Sequence, residues 1–161
     1  MNRAVAPVGL ALMLGACASP PPLLQSHLPS HLQQAPLEIE ATPFYPQTLH
    51  QCGPAALAAT LGAAGVEITP EALAPQVYLP ARQGSLQTEL VAAVRRHGRL
   101  AYLIEPGIGP LLEELQAGRP VLVLQNLGTG SYPFWHYAVV IGYRPDRDQV
   151  VLRSGTTRRE V

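Results

Sequence analysis

Pro120-Val121-Leu122-Val123-Leu124 and, after a loop, Tyr137-Ala138-Val139-Val140-Ile141-Gly142-Tyr143 decide the fold. Each is a continuous apolar run bounded by turn residues, the pattern of a strand covered on both faces. The loop between them, residues 128–133, is rich in Gly, Ser and Pro; Arg144-Pro145-Asp146-Arg147-Asp148 reads as a turn, and residues 149–152 as the returning strand. Upstream the pattern is helical. Residues 53–64 are mostly alanine and leucine, with Pro54 suited to a first turn and Gly65 to a helix end, which predicts a buried helix with Cys52 at its N-terminus. Thr69 and Pro70 open a short helix that Pro75 is expected to stop. Ser85 is expected to cap a helix over residues 86–97, whose Leu86, Leu90, Ala93 and Val94 share a face. Residues 110–117 read as a further helix, and 37–40 and 100–104 as short strands. Helices first and an antiparallel meander second define an α+β class.

The chain is one domain's length, 161 residues, and 47% hydrophobic against 14% charged, enough for a real core. Eleven basic residues, all arginine, balance eleven acidic ones without a basic cluster, so there is no electrostatic footprint for nucleic acid. Two cysteines, Cys17 and Cys52, exclude a disulfide-dense scaffold and a four-cysteine zinc site.

The start of the chain reads as an address. Met1-Asn2-Arg3 is thinly basic, and the apolar run that follows over residues 4–14 falls short of the roughly 20 residues a bilayer core requires. It has the length of a signal-peptide core. Leu14-Gly15-Ala16-Cys17 resembles a bacterial lipobox, which makes residues 1–16 a lipoprotein signal peptide and Cys17 the lipidated N-terminus that anchors the protein to a membrane. The alternative is an ordinary cleavage site beside an incidental cysteine. Ala18 after the lipobox implies export to the outer membrane, facing the periplasm of the bacterial cell envelope. Five prolines within residues 18–36 make 17–36 a linker, with the folded domain expected over 37–161. His27 and His31 have helical metal-ligand spacing, but Pro29 between them argues against the helix, so they read as solvated.

Cys52 carries the chemistry of this reading. The unpaired N–H groups and dipole at a helix N-terminus favour a thiolate, the reactive form. The other reading is a small buried hydrophobe. His136 stands where a loop meets a buried strand, the usual setting for a catalytic side chain, and only the fold can join it to Cys52, 84 residues away. His50 and His97 read as structural or exposed. Trp135 and Tyr137 flank the histidine, as cleft walls or, for Tyr137, as core.

Pro46-Gln47-Thr48-Leu49-His50-Gln51-Cys52-Gly53-Pro54-Ala55-Ala56-Leu57, followed by Trp135-His136-Tyr137-Ala138-Val139-Val140-Ile141-Gly142-Tyr143, resembles the papain-like cysteine peptidases of the bacteriocin-processing type, cysteine peptidase family thirty-nine. Arg82-Gln83-Gly84-Ser85 with Arg95-Arg96-His97-Gly98 resembles a lipoprotein branch of that group. The resemblance covers residues 42–155. It implies a papain-like α+β fold with helices packed on an antiparallel sheet, Cys52 as nucleophile, His136 as general base, and Gln47 as oxyanion-hole donor beside the Cys52 N–H, with Gln51 the competing glutamine. It implies a peptide or protein substrate, and neither a metal nor another cofactor. Relatives cut leader peptides after a double glycine, a specificity not carried over because these residues include no ATP-binding segment.

The family's ring-orienting Asp or Asn is where the sequence departs from the pattern. With the hairpin turn near Asp146, His136 falls opposite about Thr156, and Asp146 and Asp148 lie at the far end. The family's acid position falls on Ser154, a neutral hydroxyl, and Asn126 on the preceding strand is the other candidate. The expected activity is peptide-bond hydrolysis through a Cys–His thiolate. The alternatives are a weak or inactive peptidase-fold binding module, which the missing acid favours, and a related acyltransferase or amidase. Because the last residues follow a strand directly, a C-terminal continuation beyond Val161 is also an expectation.

Overall fold

The computed structural model describes residues 22–33, 35–46 and 51–161, with the backbone alone over 157–160. In chain order its elements are α1 (Leu23–His27), β1 (Leu37–Glu38), α2 (Cys52–Ala63), α3 (Pro70–Val77), β2 (Tyr78–Leu79), β3 (Gly84–Ser85), α4 (Gln87–Arg96), α5 (Ile108–Gln116), β4 (Val121–Asn126), β5 (Trp135–Arg144), β6 (Gln149–Ser154) and β7 (Thr157–Glu160). The two apolar runs become β4 and β5, paired antiparallel from Val121↔Val140 to Asn126↔Trp135. On its other side β5 pairs with β6, and β6 with β7. β1 pairs antiparallel with the end of β5, Leu37↔Tyr143 and Glu38↔Gly142, where a Cβ on residue 142 would collide with the Leu37 carbonyl and lie 2.8 Å from Glu38 Cα. Only glycine admits so close a pairing there.

Both faces of β5 are covered, which is why its sequence does not alternate. Tyr137, Val139 and Ile141 join Val151 against α2, α3 and α4. Val140 and Tyr143 join Leu152 against α1 and α5. The register slips between Val140 and Gly142, a bulge that turns Tyr143 to the same face as Val140. Helix α2 is buried over residues 53–59, apolar all round as a central helix must be. Gly65 beyond its end has φ +77°.

Several elements differ from expectation for identifiable reasons. α3 runs through Pro75 to Val77, because the missing N–H forfeits a bond only to the exposed first turn, while Tyr78 N still donates to Ala74 O. Ser85 does not cap α4: it pairs with Tyr78 in a small hairpin, and Leu86 takes the cap position without a side-chain bond. α5 starts ahead of Pro110, since the first turn of a helix uses no N–H donors. Residues 100–104 form no strand, and Leu100 and Leu103 are exposed.

The largest difference concerns the expected linker. Most of its described part, residues 22–33, packs on the sheet: Leu24 and Leu28 are 2% and 4% exposed among Leu112, Leu115, Val140 and Tyr143. The Asp148 carboxylate accepts from Leu23 N at 2.9 Å and Leu24 N at 2.7 Å, filling the donors of the α1 N-terminus. The packed structure thus includes α1 as well as the expected domain. No helix among the described residues is long and apolar enough to cross a membrane. The expected signal peptide and Cys17 lie outside the described residues.

Candidate functional site

Cys52 is the first residue of α2, half-buried, outside any disulfide, and packed on the α2-side core. Gln51 precedes it at the cap, its carbonyl accepting from Ala55 N at 3.1 Å. Gly53, next in the chain, has no room for a side chain. A Cβ there would collide with Ser85 Oγ, lie 2.6 Å from Ser85 Cβ and come 3.7 Å from Tyr137 Cδ2. So Gly53 and Tyr137, the chain neighbours of Cys52 and His136, face each other. The buried Tyr137 hydroxyl has a raised pKa, first through burial and then through the negative charge of a Cys52 thiolate. Sequence reasoning missed Ser85 at this contact. Its Oγ is buried without a hydrogen-bond partner, and nothing in its local pattern distinguishes it from a helix cap.

His136 is the second residue of β5, half-buried. Alternation sets it on the face of Ala138 and Val140, whereas Trp135 and Tyr137 share the α2 face. The ring Nε2 and Ser154 Oγ are 3.0 Å apart, and Ser154 is fully buried. This is the diagonal contact that the Val139↔Arg153 register allows two residues on. Gln125 is the residue directly opposite His136.

Asp146 and Asp148 lie beyond the other end of β5, roughly 26 Å or more along the strand at about 3.3 Å per residue. Asn126 serves the loop: its Oδ1 accepts from Gly128 N at 3.0 Å and Phe134 N at 2.9 Å, and its Nδ2 donates to Thr129 O at 3.2 Å. Its side chain belongs to the face of Trp135, so Ser154 rather than Asn126 is at the His136 ring. Gln47 and His50 lie outside the described residues. His97 ends α4, 3.4 Å from the Gln76 amide, and His27 Nδ1 meets Leu23 O at 2.9 Å. No group of three metal-ligating side chains forms among the described residues. An apolar groove of about 430 Å³ runs along α4, residues 99–104 and the start of β4, and neither Cys52 nor His136 lines it.

A central helix starting at a cysteine and packed on an antiparallel sheet that carries a histidine at its rim is the papain-like α+β arrangement. The chain belongs to the Peptidase_C39-like family, whose model matches residues 39–158. No curated protein and no solved structure matches the chain.

Proposed function

We propose that the protein is a membrane-anchored cysteine peptidase of the bacterial envelope, held at the outer membrane through a lipidated Cys17 and acting on peptides or proteins in the periplasm. The observation that carries the reading is that Gly53 and Tyr137, the chain neighbours of Cys52 and His136, face each other. In the reaction, Cys52 Sγ bonds to the substrate carbonyl carbon and the oxyanion takes its donors from the Cys52 N–H and Gln47. The C–N bond breaks as His136 delivers the thiol's former proton to the leaving amine. Water, deprotonated by the same imidazole, then releases the acyl group and restores the thiol. Ser154 at Nε2 supports a fixed ring, and in the proposed reaction Nδ1 serves the sulfur. The test is alkylation of Cys52 by iodoacetamide with product mass spectrometry on peptide substrates. Fast labelling that collapses in His136→Ala, together with cleaved peptide, is expected; slow labelling indifferent to His136 refutes it.

The neutral Ser154 in the orienting position favours a second reading, a peptidase-fold binding module without turnover. It predicts peptide capture with no cleaved product.

A further inference from the structure

Eleven large apolar side chains of the described residues are exposed, and five of them crowd into one segment beside the candidate site: Leu124, Leu127, Tyr132, Phe134 and Trp135. We infer that two of them, Leu124 and Trp135, form a subsite for a large, uncharged apolar side chain of the polypeptide that Cys52 engages, and so set its specificity. The inference rests on the peptidase reading for what is bound, but its evidence is separate.

Register gives the first argument. Leu124 pairs with Tyr137, and Trp135 lies two residues before Tyr137, so all three point to the α2 face. Tyr137 is the one whose ring faces Gly53 beside the nucleophile, its Cδ2 3.7 Å from where a Cβ on Gly53 would stand. Leu124 and Trp135, 48% and 58% exposed, therefore continue past the start of α2 the apolar surface that Tyr137 buries beneath it. A chain bonded to Cys52 crosses this surface.

The loop is also built to hold its aromatic residues out. Leu127 N donates to Phe134 O at 2.8 Å and Thr129 N to Tyr132 O at 3.0 Å, while Tyr132 N donates to Thr129 Oγ1 at 3.1 Å. Asn126 ties both ends. A loop fixed by its own hydrogen bonds presents aromatic rings without the ordering cost a floppy one would incur. Charge sets the ligand class: residues 121–143 contain no Asp, Glu, Lys or Arg, so an apolar side chain is matched and a charged one is not.

Protection of Cys52 from iodoacetamide tests this without requiring turnover. Two end-blocked peptides are compared, one carrying Phe and Leu and one carrying Ser and Gln at the same positions. Protection is the ratio of alkylation rates with and without peptide in the same variant. The apolar peptide is expected to protect and the polar one not, with protection falling about tenfold or more in Trp135→Ala and in Leu124→Ser. Leu100→Ser, an exposed leucine away from the patch, is expected to retain it. Thermal melts establish that each variant is folded. Equal protection by both peptides, protection by neither, or protection that survives both patch variants overturns the inference. So does protection by phosphatidylethanolamine–phosphatidylglycerol vesicles alone that is lost in Trp135→Ala, which would assign the patch to a lipid surface. Peptide protection that persists while labelling ignores His136→Ala sinks the peptidase reading and leaves the subsite standing.

Discussion

Gly53→Ala is the sharpest perturbation the site offers, because helix propensity and packing there pull in opposite directions. Alanine in a helix is favoured over glycine by about 0.5–1 kcal/mol. Against that, the added methyl collides with Ser85 Oγ and lies 2.6 Å from Ser85 Cβ. Rotating Ser85 clears the hydroxyl but not the Cβ, so the backbone of β3 or the start of α2 must move, and overpacking of this kind costs about 1–3 kcal/mol. At the midpoints of these ranges the expected net loss is about 1 kcal/mol, or roughly 2–4 °C in melting temperature for a chain of this size. Replacing Ser85 by glycine in the same chain removes both colliding atoms, so the double variant should be more stable than the sum of the singles by about 1–2 kcal/mol. The assay is a double-mutant cycle by thermal melts or urea titration, with Cys52 alkylation as a local probe of the helix start. A Gly53→Ala protein as stable as its parent, or strict additivity with Ser85→Gly, refutes the packing of Ser85 against Gly53 at the start of α2.

Ser154→Ala should cost about 0.5–1.5 kcal/mol by removing the His136 hydrogen bond, and should slow Cys52 alkylation without unfolding the protein, as melts and labelling rates will show. Leu24→Ala should destabilise by about 2–5 kcal/mol as a core truncation, whereas a true linker residue would be silent; chemical denaturation decides. Tyr102 donates to Glu114 at 2.6 Å and Arg119 pairs with the same carboxylate, which raises the Tyr102 pKa chiefly through that hydrogen bond and lowers Glu114's chiefly through the Arg119 bond. Tyr102's contribution is therefore full below about pH 10 and lost as pH rises through its folded value. Glu114's is present above about pH 4.5 and lost as pH falls through its own. Both are solvent-screened and worth under about 1 kcal/mol. Ultraviolet titration of Glu114→Gln should show one tyrosine ionising at lower pH.

β5 was legible because burial on both faces left no alternation, whereas β4 was legible from its apolar run alone: it is not covered on both faces as expected, none of its residues being fully buried; the start of α2 was legible from its alanines and Pro54. The turn at 144–148 fixed the hairpin closely enough to put Ser154 beside His136. Other features had signals that were outweighed. Leu24, Leu28 and Leu32 recur at helical spacing, but the prolines around them gave the segment the composition of a linker, and the stabilising partner, Asp148, is 124 or 125 residues away. Residues 100–104 have strand-forming side chains yet gain no ladder, because a strand exists only with a partner. Thr157–Glu160 carries no apolar pattern, and only pairing with β6 makes it β7. The Gly53–Ser85 contact is a property of the tertiary fold alone.

A thiol enzyme is the kind that tolerates a hydroxyl where the orienting acid is expected. A serine nucleophile must be deprotonated during attack, so the ring's orientation and charge are decisive, and a triad aspartate is worth about 10⁴ in turnover. In a thiol peptidase the cysteine can exchange its proton with the imidazole beforehand, and the resulting ion pair supplies its own stabilisation; under the proposed function that would leave Ser154 only the task of holding the ring. Ser154→Asp tests this partnership. The position is fully buried, so a carboxylate is tolerable there only with the His136 imidazolium at hydrogen-bond distance. Ser154→Asp should therefore fold and label Cys52 at least as fast as the parent, with a gain far below that of a serine triad. Removing the ring with His136→Ala in the same chain leaves an uncompensated buried charge and should cost about 3–5 kcal/mol more than His136→Ala alone. If the aspartate proves equally costly with and without the imidazole, residue 154 and the histidine do not act as a pair, and the orienting role fails with them.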